Sequence, residues 1–141
     1  ELLHSRISIP QGANRPAGVV LCYAVITPEG HFGSFQNLLG AQIDDPKVLH
    51  AFTLNERVSP DTPPTFLVHT ANDAVVPVEK NALVMAGALT EYKIPYELHI
   101  YPFGPHGMAL ANSDTNMACA DLTDEAYARW VDDSIAFFKR F

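Results

Sequence analysis

Basic residues are scarce in this sequence. Lysine and arginine together number 9 against 16 aspartates and glutamates, a formal net charge of −7. Phosphate backbones are held by clustered basic side chains, so this balance excludes nucleic acid as a partner. It is equally a poor match for anionic membrane surfaces. Long apolar runs are lacking too. The longest, over residues 17–26, falls short of the roughly 20 residues that a bilayer-spanning helix needs, so no membrane insertion is expected. Cysteine is nearly absent: Cys22 and Cys119 are the two present, with no C-x-x-C pair to suggest metal or redox work. Cys22 sits inside an apolar run, where a free buried thiol is the expected state. The opening residues, Glu1 to Arg6, show neither an initiator methionine nor a signal peptide. The expectation is a natural protein that begins upstream, and its compartment is not legible here.

What remains is an ordinary globular composition. The chain has 141 residues, 48% hydrophobic and 18% charged, enough for one domain with a core and too few for two. Residues 18–26 are continuously apolar and end at Thr27-Pro28, which suits a strand covered on both faces. Thr65–Thr70 follows Pro63-Pro64 and ends in Ala71-Asn72-Asp73. Tyr96–Tyr101 alternates more, as a strand nearer a sheet edge would. Between and after them, residues 77–92 and 123–141 read as helices. Pro77 suits a first turn, Thr123-Asp124-Glu125 forms a capping region, and Lys139-Arg140 is favourable near a C-terminus. The longer connection is expected to hold short helices around residues 34–39 and 46–52. Strand, helical insert, strand, helix, strand, helix is the order of a parallel α/β sheet.

In such sheets chemistry gathers at the carboxyl ends of the strands. Two candidate groups stand there, Asp73 after the second strand and His106 after the third. Alone, Asp73 reads more simply as a turn or cap residue, since Asn-Asp pairs favour turns. Alone, His106 reads as a solvated loop histidine, although Gly104 and Gly107 allow a tight turn that brings its ring toward a cleft. Together they change the weighing. Adjacent parallel strands lie about 4.8 Å apart, so the two side chains can meet. A carboxylate bonded to one imidazole nitrogen leaves the other as a general base.

The stretch Pro64-Thr65-Phe66-Leu67-Val68-His69-Thr70-Ala71-Asn72-Asp73-Ala74-Val75-Val76-Pro77 resembles the acid-bearing strand and loop of α/β-hydrolase esterases. Within that superfamily it is similar to the dienelactone hydrolase-like and acetylxylan esterase-like branch. Pro95 to Tyr101, followed by Gly104-Pro105-His106-Gly107-Met108, resembles that branch's last core strand and histidine loop. The runs Leu21 to Thr27 and Gly33-Ser34 to Gly40 resemble it also, so the likeness covers nearly all the chain. It implies the C-terminal half of an α/β-hydrolase fold, three parallel strands with flanking helices, as one partial domain over residues 1–141. By the same resemblance Asp73 is the triad acid and His106 the triad base, and no metal or organic cofactor is implied. The departure is large. No G-x-S-x-G nucleophile turn occurs in the chain. Ser34 is the nearest imitation, but it lacks the second glycine and follows no strand directly.

Several expectations follow from that reading. The serine and the oxyanion-hole amides belong to an N-terminal half, with residues 1–5 as the tail of the nucleophile helix. The strand near Val19 to Val25 then needs that half, or a second chain, to pair with. The substrate is a small carboxylic ester, with acetyl groups on sugars suggested by the resemblance alone. Val75, Val76, Met108 and His31 are candidate pocket residues. His69 and His99 lie within strands and read as packed or hydrogen-bonded rather than as ligands; Trp130 reads as core. The rival readings are a non-catalytic α/β binding module and a peptidase half-domain of the prolyl-oligopeptidase type.

Overall fold

The computed structural model describes residues 12–115 and 123–141; Cys119 and the expected helix tail over residues 1–5 lie outside them. Three strands form one parallel sheet in the order β1 (Val19–Cys22), β2 (Thr65–Thr70) and β3 (Tyr96–Tyr101). Thr65 pairs with Val19 on one side and with Tyr96 on the other, so the central strand sets the register of both neighbours. Every residue of β2 is buried, which is why the sequence there shows no polar alternation. Burial of each large apolar side chain contributes about 1.5–3 kcal/mol.

Successive strand side chains point to opposite faces, and β2 splits the core accordingly. Leu67 joins Ile26, Val78, Met85 and Leu89 on one face. Phe66 and Val68 join Met108, Tyr127 and Phe137 on the other. The first face is covered by α3 (Ala82–Glu91), the second by α5 (Trp130–Phe138), a helix entered through the short α4 (Glu125–Ala128). Asp124 caps α4, its Oδ1 accepting from the amides of Ala126 and Tyr127. Gly18 lets β1 start against α5, since a Cβ there would run into the Phe138 ring. The connection from β1 to β2 carries α1 (Phe32–Leu39) and α2 (Pro46–Phe52). Asp45 caps α2, and Pro46 occupies its first turn. Among the described residues no helix is long and apolar enough to cross a membrane.

Three expectations change in detail. The strand expected over 18–26 stops at Cys22, because Tyr23 takes a left-handed φ of 38°. Ile26 is nevertheless 1% exposed; its apolar run marks burial of a loop rather than continued pairing. The helix expected from Pro77 opens as a 3-10 turn, Val78–Lys80, and becomes α-helical at Ala82. Asn81 breaks the two with φ −130° and ψ −87°. Its Oδ1 accepts the Ile26 amide at 2.8 Å, and its Nδ2 donates to the Pro77 carbonyl. The final helix is broken too, between Ala128 and Trp130. Cys22 is a free thiol whose pKa is pushed up to about 11 by burial.

Candidate active site

The loops after β2 and β3 are laced together before either presents a side chain. The Ala71 amide donates to the Tyr101 carbonyl, and Thr70 Oγ1 donates to the Gly104 carbonyl at 2.7 Å. Asn72 Oδ1 accepts the Gly104 amide at 2.9 Å. Gly104 has φ +143°, and a Cβ there would lie 2.9 Å from the Thr70 methyl and 3.2 Å from Met108. Only glycine fits that crossing.

Asp73 follows directly, and its two oxygens divide the work. Oδ1 accepts the amides of Val75 and Val76, each at 2.9 Å, closing an Asx-type turn. Oδ2 stands 2.8 Å from His106 Nδ1. The turn reading and the acid–imidazole reading therefore hold together, one oxygen for each. The Asp73 side chain is wholly buried, while that of His106 is 31% exposed. Burial pushes the Asp73 carboxyl up, but the Val76 amide, the His106 ring and the Val75 amide outweigh it and hold the carboxyl below its usual value. An ionised carboxylate accepts only, so Nδ1 of His106 carries the proton. Nε2 then keeps a lone pair, available as a base where the ring is open to solvent.

Behind the pair lies His69, 1% exposed at the end of β2. Its Nε2 donates to the Val76 carbonyl at 2.8 Å and stands 3.6 Å from Asp73 Oδ2. It thus ties down the loop whose amides hold Asp73, consistent with a bonded strand histidine. On the other flank the Tyr23 ring meets the His106 ring at 4.9 Å between centroids.

The remaining candidates fall unevenly. Val75 is 49% exposed on the acid loop. Val76 and Met108, also named as pocket candidates, are 1% and 4% exposed and pack into the interior. Met108 belongs to the core cluster with Phe66 and Tyr127. His31 caps α1: its Nδ1 accepts the Ser34 amide at 3.2 Å and lies 2.9 Å from Ser34 Oγ. That is a helix-start contact within one turn, not a nucleophile and base at strand ends. Clefts of about 460 and 380 Å³ lie around Asn55, Glu56 and Val84, and neither is lined by Asp73 or His106. Trp130 is partly buried, packs against the core and donates from Nε1 to the Ala109 carbonyl. Among the described residues no group of three or more His, Cys, Asp or Glu is placed to hold a metal ion.

Sequence reasoning missed Tyr23, Asn81 and the His69–Val76 bond. Asn81 left a signal, a polar residue inside a helical pattern, where Asn competes for backbone groups. Tyr23 left none, because an apolar run gives no warning of a left-handed residue.

No protein-family model matches the chain. It is 42% identical over 104 residues to an endo-1,4-β-xylanase B of Butyrivibrio fibrisolvens, covering 72% of this chain and 16% of that protein. A carboxylesterase from Lactobacillus plantarum superposes with a TM-score of 0.79 at 25% identity, over 99% of this chain and 50% of the other. An acetyl ester-xyloside bifunctional hydrolase from Caldicellulosiruptor lactoaceticus superposes with a TM-score of 0.70 at 41% identity, over 87% and 44%. The chain thus spans about half the length of these solved structures and a smaller share of the xylanase.

Proposed function

We propose that this chain, whose parallel sheet and flanking helices match about half the length of solved α/β-hydrolase esterases, is part of a Ser-His-Asp hydrolase of small carboxylic esters. This chain supplies the acid and the base, and the serine stands on polypeptide outside its 141 residues. The observation that carries the proposal is the 2.8 Å bond between a buried, amide-held Asp73 and a half-open His106.

The chemistry follows from that geometry. His106 Nε2 takes the serine proton as the serine oxygen attacks the ester carbonyl. Asp73 stays ionised, fixes the Nδ1–H tautomer and stabilises the imidazolium. The imidazolium then passes the proton to the departing alcohol. Water, activated by the same nitrogen, releases the acid and restores the serine. Acetyl esters on xylose-based sugars are the favoured substrates, supported by the names of the xylanase and acetyl ester-xyloside hydrolase relatives.

The reading also assigns β1 a partner. Among the described residues β1 pairs with β2 alone, and Val20 is 41% exposed. The half carrying the serine, on the same polypeptide or on a second one, pairs there.

The test is a fluorophosphonate probe on the longest natural polypeptide that contains this sequence, read by intact mass. Hydrolysis of acetylated xylo-oligosaccharides is measured alongside. One label per polypeptide on a serine N-terminal to this sequence, with acetate release, is the expected result. The absence of both label and acetate release overturns the reading and leaves the non-catalytic module.

A further inference from the structure

Three successive strand ends meet at His106, and one of them plays no part in the proposed chemistry. Asp73 comes from the end of β2 and His106 from the loop after β3, while Tyr23 directly follows β1. The Tyr23 ring stands edge-on to the imidazole, with centroids 4.9 Å apart and planes at 72°. Aromatic pairs favour this arrangement.

The backbone makes the contact notable. Tyr23 has φ +38°, a left-handed conformation that a bulky side chain adopts only where its surroundings hold it. The Tyr23 amide donates to the Val68 carbonyl at 2.8 Å, so β2 pins the residue one step beyond the last β1–β2 pair. Glycine would meet that φ without strain. A tyrosine there keeps its ring at the imidazole.

We propose that Tyr23 is a positioning residue for His106. Its ring closes one side of the imidazole and keeps Nδ1 directed at Asp73 Oδ2, which fixes the direction of the Nε2 lone pair. The inference rests on the hydrolase reading for its effect on rate. Its effect on the imidazole itself does not depend on that reading.

The experiment compares wild type, Tyr23→Gly and Tyr23→Phe in the longest natural polypeptide containing this sequence. The glycine variant removes the ring while accepting the left-handed φ, so the backbone has no reason to misfold. Two quantities are read: the low-field proton resonance of the hydrogen-bonded His106 Nδ1–H, and kcat and KM on an acetyl ester. In Tyr23→Gly the resonance is expected to broaden or vanish, and kcat to fall roughly 2- to 13-fold, the worth of one aromatic pair. KM is expected to change less than kcat. Tyr23→Phe restores both. A sharp resonance with wild-type kcat in the glycine variant overturns the proposal, as does loss of both in the phenylalanine variant. If wild type shows the resonance but hydrolyses nothing, the hydrolase reading fails, and the resonance comparison still decides the role of Tyr23.

Discussion

Asp73 and His106 approach to 2.8 Å, and on the same sheet Glu97 and His99 approach to 2.9 Å. Distance alone does not distinguish them. The Asp73 side chain is wholly buried, its other oxygen is filled by two amides, and it stands at the carboxyl end of β2. Glu97 and His99 lie along β3, with 28% and 27% of their side chains exposed. The second Glu97 oxygen faces Arg140 at 3.3 Å, and the second His99 nitrogen faces Asp133 at 3.6 Å. His99 therefore has a carboxylate at each nitrogen. His106 has one at Nδ1 only, on a ring that is partly exposed. A carboxylate–imidazole contact becomes candidate chemistry when the acid is buried and locked and one nitrogen stays open.

The sharpest way to break this comparison is to neutralise each acid in turn. Asp73→Asn should lower kcat by about 10⁴-fold by stabilising the wrong His106 tautomer. Glu97→Gln should leave kcat within about twofold, because its loss disturbs only a partly exposed network. Steady-state hydrolysis of an acetyl ester by the longest natural polypeptide containing this sequence checks both, and similar losses in the two variants would erase the distinction.

Acid unfolding gives a smaller effect. The Asp73 carboxyl is held below its ordinary value in the fold, since its amide and imidazole partners outweigh the upward push of burial. Its stabilisation is therefore fully present above the unfolded pKa, about 4, and is lost as pH falls through the lower folded value. Denaturant midpoints measured from about pH 6 down to 2 should fall at the acid end. Asp73→Asn should remove its share of that slope. An unchanged slope in the variant would show that the carboxyl is not depressed.

The smallest effect belongs to the exposed network. The Arg140 side chain is 65% exposed, so Arg140→Ala should shift unfolding free energy by no more than about 1 kcal/mol. A larger loss would show that the network on β3 is structural after all.

Much of this was legible in sequence. The β2 and β3 bounds, Asp73 and His106 at their ends, and the glycine at the loop crossing all follow from local patterns. Proline and Asn-Asp punctuation marks where strands stop. What was not legible sits where an apolar run hides a change of conformation. Residues 24–26 are as hydrophobic as the strand before them, yet they run as a partly buried loop that ends at the buried Ile26, whose amide Asn81 accepts. Val76 and Met108 flank the acid and the histidine in sequence but turn into packed interior. Neighbourhood along the chain says nothing about which way a loop side chain faces.

Composition and hydrophobic pattern by themselves determined the class of fold, the order of its elements and the two residues at the strand ends, because burial and turn chemistry are local. Tertiary structure decided the rest: that one Asp73 oxygen closes a turn while the other meets His106, that His69 holds the loop from behind, and that Tyr23 meets the imidazole from β1. Those contacts join residues on separate strands. Their existence depends on register and on a left-handed backbone angle, which no periodicity encodes.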